Sequence, residues 1–167
     1  MNILEKLLPK FTLYDKINFS LKNIFVGIIM ILGIDYGDSR TGFSISDAGN
    51  SLARTLETFS AKGMEKVKIR AIELVKEHNA EKIVLGFPKN MDGTIGDRGK
   101  KSRKLAALLE NETNIPVILW DERLTTVSAH NLMNETNVRG KKRKDSVDKI
   151  AAAFILQSYL DSIKHNL

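Results

Sequence analysis

The chain contains no cysteine, and of its 167 residues only three are proline and one is tryptophan. Without cysteine there is no disulfide framework, no thiolate metal site and no cysteine nucleophile, which suits a reducing, cytoplasmic setting. The sequence also lacks a GxxxxGK[ST] phosphate loop, a GxGxxG dinucleotide fingerprint, a GxSxG nucleophile elbow and an HExxH zinc helix. The usual routes to nucleotide hydrolysis, hydride transfer, serine hydrolysis and zinc proteolysis are therefore closed. Residues 24–34 are wholly apolar but fall short of the ~20 apolar residues that cross a bilayer. No small-residue cleavage site follows them, which argues against a signal peptide and against stable membrane insertion.

What is present is apolar mass and positive charge. Hydrophobic residues make up 43% of the chain, enough for one globular core. Lys and Arg number 26 against 20 Asp and Glu, a net charge of +6, and such an excess favours polyanionic partners. Residues 1–28 show no helical or alternating period and read as an N-terminal extension; residues 29–167 read as the folded domain. Within it, strands are predicted at 29–34, at 42–47 (half-buried, alternating Phe43 and Ile45 with Ser44 and Ser46), at 53–59, at 82–86 and at 116–120. An amphipathic helix is predicted at 64–78, and a basic helix with Leu105, Leu108 and Leu109 inward follows the loop at 87–96. A short helix at 125–134 and a charged loop at 137–144 lead to a last helix at 146–163, with Val147, Ile150, Ala151 and Phe154 inward. This order specifies an α/β architecture with a mixed sheet.

Carboxylates fall at the strand ends. Asp35 closes the first strand and opens DYGDSRTG, a DxGxxxxG pattern whose glycines permit a tight turn and a close ligand. Asp121 and Glu122 follow the strand at 116–120, where Asp121 can also cap the next helix. Asp145 and Asp148 bracket the start of the last helix, Asp145 with the character of an N-cap. Acids brought together repel one another unless a cation neutralises them, and hard divalent ions favour oxygen ligands. Beside these acids stand two basic clusters, one holding Arg98, Lys101 and their neighbours, the other running from Arg139 through Lys141, Lys142, Arg143 and Lys144. With Arg40, they are expected to contact a nucleic-acid backbone.

Four blocks, ILGIDYGDSRTGFSISD, IVLGFPKNMDGTIG, VILWDERLTT and KDSVDKIAAAFILQSYLD, occur in the order found in the YqgF family of bacterial proteins. The chain resembles that family, known as pre-16S rRNA nucleases and as Holliday-junction-resolvase-like proteins. The resemblance implies a ribonuclease-H-like three-layer fold with a mixed five-stranded sheet. It places the active-site acids and metal ligands at Asp35, Glu122 and Asp148, with two Mg²⁺ (or Mn²⁺) ions as cofactors and precursor rRNA as partner. Asp145 matches no fixed acid of the family. Resolution of branched DNA and non-catalytic RNA binding remain the alternative readings. A two-domain actin-like or sugar-kinase ATP site shares DxGxxxxG but needs a longer chain.

Overall fold

The computed structural model describes residues 29–124 and 141–164, and for residues 124 and 141–149 the backbone alone. Strands β1 (Met30–Asp35), β2 (Thr41–Ser46), β3 (Ala53–Phe59), β4 (Ala80–Phe87) and β5 (Val117–Asp121) form one sheet in the order β3-β2-β1-β4-β5. β1 pairs antiparallel with β2 and parallel with β4; β2–β3 is antiparallel and β4–β5 parallel. Helices α1 (Met64–Glu77) and α2 (Asp97–Thr113) precede β4 and β5, a 3-10 turn spans Glu122–Leu124, and α3 (Lys141–Lys164) ends the described chain. The mixed five-stranded sheet expected from the sequence is present.

Two cores sit on opposite faces of the sheet. α1 and α2 bring Val67, Leu74, Leu105 and Leu109 onto Leu32, Ile34, Phe43, Ile83 and Leu85. α3 brings Ile155, Leu156, Tyr159 and Leu160 onto Ile31 and Val84. β1 and β4 are thus covered on both sides, which is why they read as continuous apolar runs. Each fully buried aliphatic or phenyl side chain contributes roughly 1.5–3 kcal/mol. The result is a three-layer α/β/α domain.

Three expectations are corrected. β2 is buried over all six residues rather than half-buried. Its serines face α3, where Ser44 Oγ donates to the Ala152 carbonyl at 2.8 Å and Ser46 Oγ accepts from the Ile31 N–H at 2.9 Å. Small hydroxyls satisfied under a close helix give the same alternation as a solvated face. Gly33 serves the same approach: a Cβ there would overlap Ser44 Oγ and lie 2.8 Å from Leu156 Cβ.

α3 also begins earlier than expected. Residues 141–144, predicted as loop, are helical, so Asp145 lies inside the helix rather than at its cap. Lys and Arg are good helix formers, and a basic run alone does not break a helix. The inner face of α3 is Ala152, Ile155, Leu156, Tyr159 and Leu160, while Ile150, Ala151 and Phe154 are half-buried. The stretch at 150–156 is apolar all round, so its period does not select a face. The helix expected at 125–134 and the loop positions 137–140 lie outside the described residues, as does the side chain of Val147.

Candidate active site

The carboxyl ends of the three parallel strands lie level at one edge of the sheet. Ile34 is in register with Leu85, and Phe87 with Asp121. Such an edge is where open α/β sheets hold ligands. Asp35 ends β1 here, and Glu122 is the first residue after β5.

Glu122 owes its position to a glycine. A Cβ at Gly86 would come 2.7 Å from Glu122 Oε1 and 2.8 Å from Ile155 Cδ1, so the carboxyl group is seated over bare β4 backbone on the α3 side. Burial there pushes the Glu122 pKa up to about 7; the charge of Asp35 adds to the rise, Arg98 opposes it, and Asp121 adds a smaller push. The neighbouring acid is handled in the opposite way. Asp121 accepts from Arg123 Nη2 at 2.7 Å and lies 3.1 Å from Lys89 Nζ. The Arg123 bonds first, and then Lys89, hold its carboxyl far below the usual range. Asp121 is a braced structural anion, and Glu122 is an acid kept under electrostatic stress.

The third expected acid, Asp148, belongs to the first half of α3, of which the backbone is described. The Ala152 carbonyl meets Ser44, and Ser44 is the register partner of Gly33. Gly33 lies two residues before Asp35 on β1. Residue 148 is about one helical turn, ~6 Å, before Ala152, and Asp35 is ~6.6 Å beyond Gly33. Ile155 lies against Gly86, and Gln157 reaches Ser51 and Ala53 at the opposite edge. The helix therefore runs with its N-terminal end toward Asp35, and its backbone places residue 148 near the level of the acid edge.

Among the described residues there is no group of three His, Asp or Glu side chains able to hold a metal. Asp35 and Glu122 supply two, and the side chain of Asp148 lies outside the described set. The donor chemistry fits a hard divalent cation. Both donors are carboxylates, the charge of Asp35 raises the cost of ionising Glu122, and Gly86 leaves room for the Glu122 oxygen.

The expected basic residues are only partly gathered here. Arg98, at the start of α2, is close enough for its charge to act on Glu122. Lys101, one turn on, is 2.7 Å from Asp38 in the β1–β2 loop, and Arg40 is exposed in that same loop. Lys141, Lys142, Arg143 and Lys144 occupy the first turns of α3, and Arg139 lies outside the described residues. Two contributors escape sequence reasoning. Lys89 joins the β4–α2 loop to Asp121, and Gly86 seats Glu122. The sole sequence signal for Gly86 is a glycine interrupting an apolar strand, a pattern that marks close backbone approach.

Gly86→Ala tests that seat. The added methyl displaces the Glu122 carboxyl, and misplacement by about 1 Å can cost ~100-fold in rate. Activity is expected to fall by about that factor, with thermal stability shifted by only a few degrees, about what one overpacking event costs. Wild-type turnover in the variant removes the seating role.

Comparison with known proteins agrees with this fold. A family model described as "RuvX: Holliday junction resolvase" matches residues 29–162. A relative from Acetivibrio thermocellus is 49% identical over 134 residues, covering 79% of this chain and 95% of its own length. One from Bacillus subtilis is 46% identical over 136 residues, covering 80% and 98%. Both carry the name "Putative pre-16S rRNA nuclease". Among solved structures, T. thermophilus RuvC in complex with a Holliday junction substrate superposes with a TM-score of 0.54 at 14% identity, covering 80% of this chain and 96% of that one. That likeness is one of fold, a ribonuclease-H-like layer arrangement. With a family model spanning most of the domain and relatives near half identity over almost their whole length, this chain belongs to the RuvX family of resolvase-like nucleases.

Proposed function

We propose that this protein is a divalent-metal-dependent nuclease that hydrolyses phosphodiester bonds, acting in the cytoplasm on the leader of pre-16S rRNA during ribosome biogenesis. The observation that supports this best is the meeting of Asp35 and Glu122 at the carboxyl edge, with Glu122 seated over Gly86. The names of the relatives point to the substrate. Asp35, Glu122 and Asp148 would hold two Mg²⁺ (or Mn²⁺) ions, which supply Lewis-acid stabilisation of the attacking and leaving oxygens at phosphorus.

The remaining work falls to the chain itself. Asp35 and Glu122 concentrate negative charge where the cations bind, and the Lys89–Asp121–Arg123 brace holds the end of β5 so that Glu122 stays in register. Arg98, Lys101 and Arg40 line the approach and receive the phosphate chain.

The decisive assay offers purified protein a precursor rRNA leader and a four-way DNA junction, with Mg²⁺ or with EDTA. Cleavage of the leader in Mg²⁺ alone is expected. Selective cleavage of the junction moves the substrate to branched DNA, the reading favoured by the family description. Tight leader binding with neither substrate cut makes the protein a non-catalytic assembly factor.

The first turns of α3 give a second test. Cations there oppose the helix dipole, so helix stability does not explain them. Replacing Lys141, Lys142, Arg143 and Lys144 by Gln keeps helix propensity. It is expected to flatten the salt dependence of RNA binding by up to about one log unit per lost phosphate contact. Turnover at saturating substrate should fall far less. An unchanged slope in fluorescence anisotropy removes these residues from the binding surface.

The extension is treated likewise. β1 begins at Met30 and the family match at residue 29, so deletion of residues 1–28 should leave a folded domain. Its melting temperature should lie within about 5 °C of the full chain, equivalent to ~1 kcal/mol or less. An insoluble truncation makes the extension part of the core.

A further inference from the structure

One large apolar side chain stands out by its exposure. Met91 is 93% exposed, the most exposed large hydrophobic among the described residues. Single exposed hydrophobics are ordinary on protein surfaces, and exposure alone carries no weight. The setting of Met91 is what distinguishes it.

Met91 sits at a corner of a closed turn. The Gly93 N–H donates to the Asn90 carbonyl at 2.9 Å, and the Asn90 N–H donates to the Thr94 carbonyl at 2.9 Å. Asn90 Nδ2 donates to Thr94 Oγ1 at 2.8 Å, while the Thr94 N–H and Oγ1 donate to Asp92 Oδ1 at 2.9 and 2.6 Å. Gly93 takes φ +85, which closes the turn without strain. The polar side chains of the turn are thus engaged with one another, and Met91 is the group it offers outward. The backbone beneath Met91 is held this way, so the loop itself loses little freedom on contact, which favours binding.

Both ends of this loop touch the acid edge. On one side Lys89 Nζ lies 3.1 Å from Asp121, the neighbour of Glu122. On the other, Asn90 packs on Gly96, and Arg98 two residues later acts on Glu122. Arg103 lies over the Phe87 ring at 5.5 Å, so positive charge flanks the loop. An apolar tip on a loop whose two ends carry cations toward the acid edge matches the chemistry of a nucleobase, apolar on its face and joined to anionic phosphate.

We infer that Met91 is a wedge that inserts against a base next to the cleaved bond and unstacks it, so that the enzyme favours positions where pairing is weak or already broken. Methionine is among the side chains that unstack base steps, at a cost of a few kcal/mol per step. This inference rests on the nuclease reading for its meaning, although its first readout requires binding alone.

The test places 2-aminopurine at the cleavage point of a paired precursor rRNA stem and adds the full chain in Ca²⁺, which suppresses turnover. Wild type should raise the fluorescence, Met91→Ala should not at equal occupancy, and Met91→Leu should restore the rise. In Mg²⁺, Met91→Ala should cut the paired stem about tenfold more slowly, a difference of ~1.4 kcal/mol, and cut an unpaired strand of the same sequence as wild type does. Unchanged fluorescence on wild-type binding, or an equal rise with Met91→Ala, overturns the wedge. Equal slowing on paired and unpaired RNA also overturns it, because Met91 would then act on binding or folding generally. Wild type that unstacks the base but cuts nothing in Mg²⁺ sustains the wedge and overturns the nuclease reading instead.

Discussion

Glu122→Gln is expected to abolish cleavage and, in metal-free protein, to raise stability above neutral pH. The sign follows from burial. Glu122 is held near 7 in the folded chain against 4.5 for an ordinary glutamate, by burial first and by Asp35 second. Between those values the folded state binds the proton and the unfolded state does not, so stability falls as pH rises from about 4.5 to 7 and stays low above it. Glutamine carries no such penalty. At pH 8 in EDTA the variant should be more stable by about 2 kcal/mol, below the ~3 kcal/mol that the full shift would give at 1.36 kcal/mol per unit. Near pH 4.5 the gain should vanish. Mg²⁺ should then stabilise wild type and leave the variant unmoved, since a ligand stabilises only the form that binds it. Urea titrations at two pH values, with and without Mg²⁺, check all three effects. A variant less stable than wild type at pH 8 would show Glu122 to be a structural partner rather than a stressed ligand.

That contrast bears on how two adjacent acids at the end of β5 divide their work. Asp121 is satisfied by Arg123 and Lys89, whereas Glu122 is pushed upward by its burial and by the charge of Asp35, with Arg98 opposing. A protein that only needed to end a strand would gain by making both acids like Asp121. A half-buried acid retained beside another has the perturbed character that marks functional sites, in keeping with the cation-binding role proposed above.

Much of this was legible in the sequence because the signals were local. Apolar runs such as Ile83, Val84 and Leu85 require burial on both faces, and Asp35 and Glu122 announce themselves by following such runs. What stayed hidden depends on contacts distant in sequence. The burial of Ser44 depends on Ala152, 108 residues later. Gly33 and Gly86 look alike as strand glycines, and the helix laid across them is what gives one a packing role and the other a seat for Glu122. The start of α3 escaped because a run of cations reads as a solvated loop, although helix propensity permits it. Lys89 carried no signal, since its partner Asp121 belongs to another strand.

Asp35→Asn should give the largest loss of activity of any single change. Asp35 ends the central strand β1, flanked by β2 and β4, so its position is set by pairing on both sides rather than by a loop. Asparagine keeps the shape and one carbonyl oxygen but removes the charge and replaces a lone-pair face with a donor that repels a cation. Cleavage of the preferred substrate is expected to fall at least ~1,000-fold, a barrier increase of about 4 kcal/mol. The fold should persist, because Asp35 is half-buried at the rim and the core beneath it is untouched. Losing its charge also removes the second cause of the high Glu122 pKa, so that acid should titrate lower in Asp35→Asn than in wild type, though still above 4.5 because burial remains. A carbonyl-region NMR titration of glutamate-labelled protein follows this directly. Unchanged titration of Glu122 in Asp35→Asn would mean that the two carboxylates do not share a site, and cleavage at the wild-type rate would remove Asp35 from the ligand set.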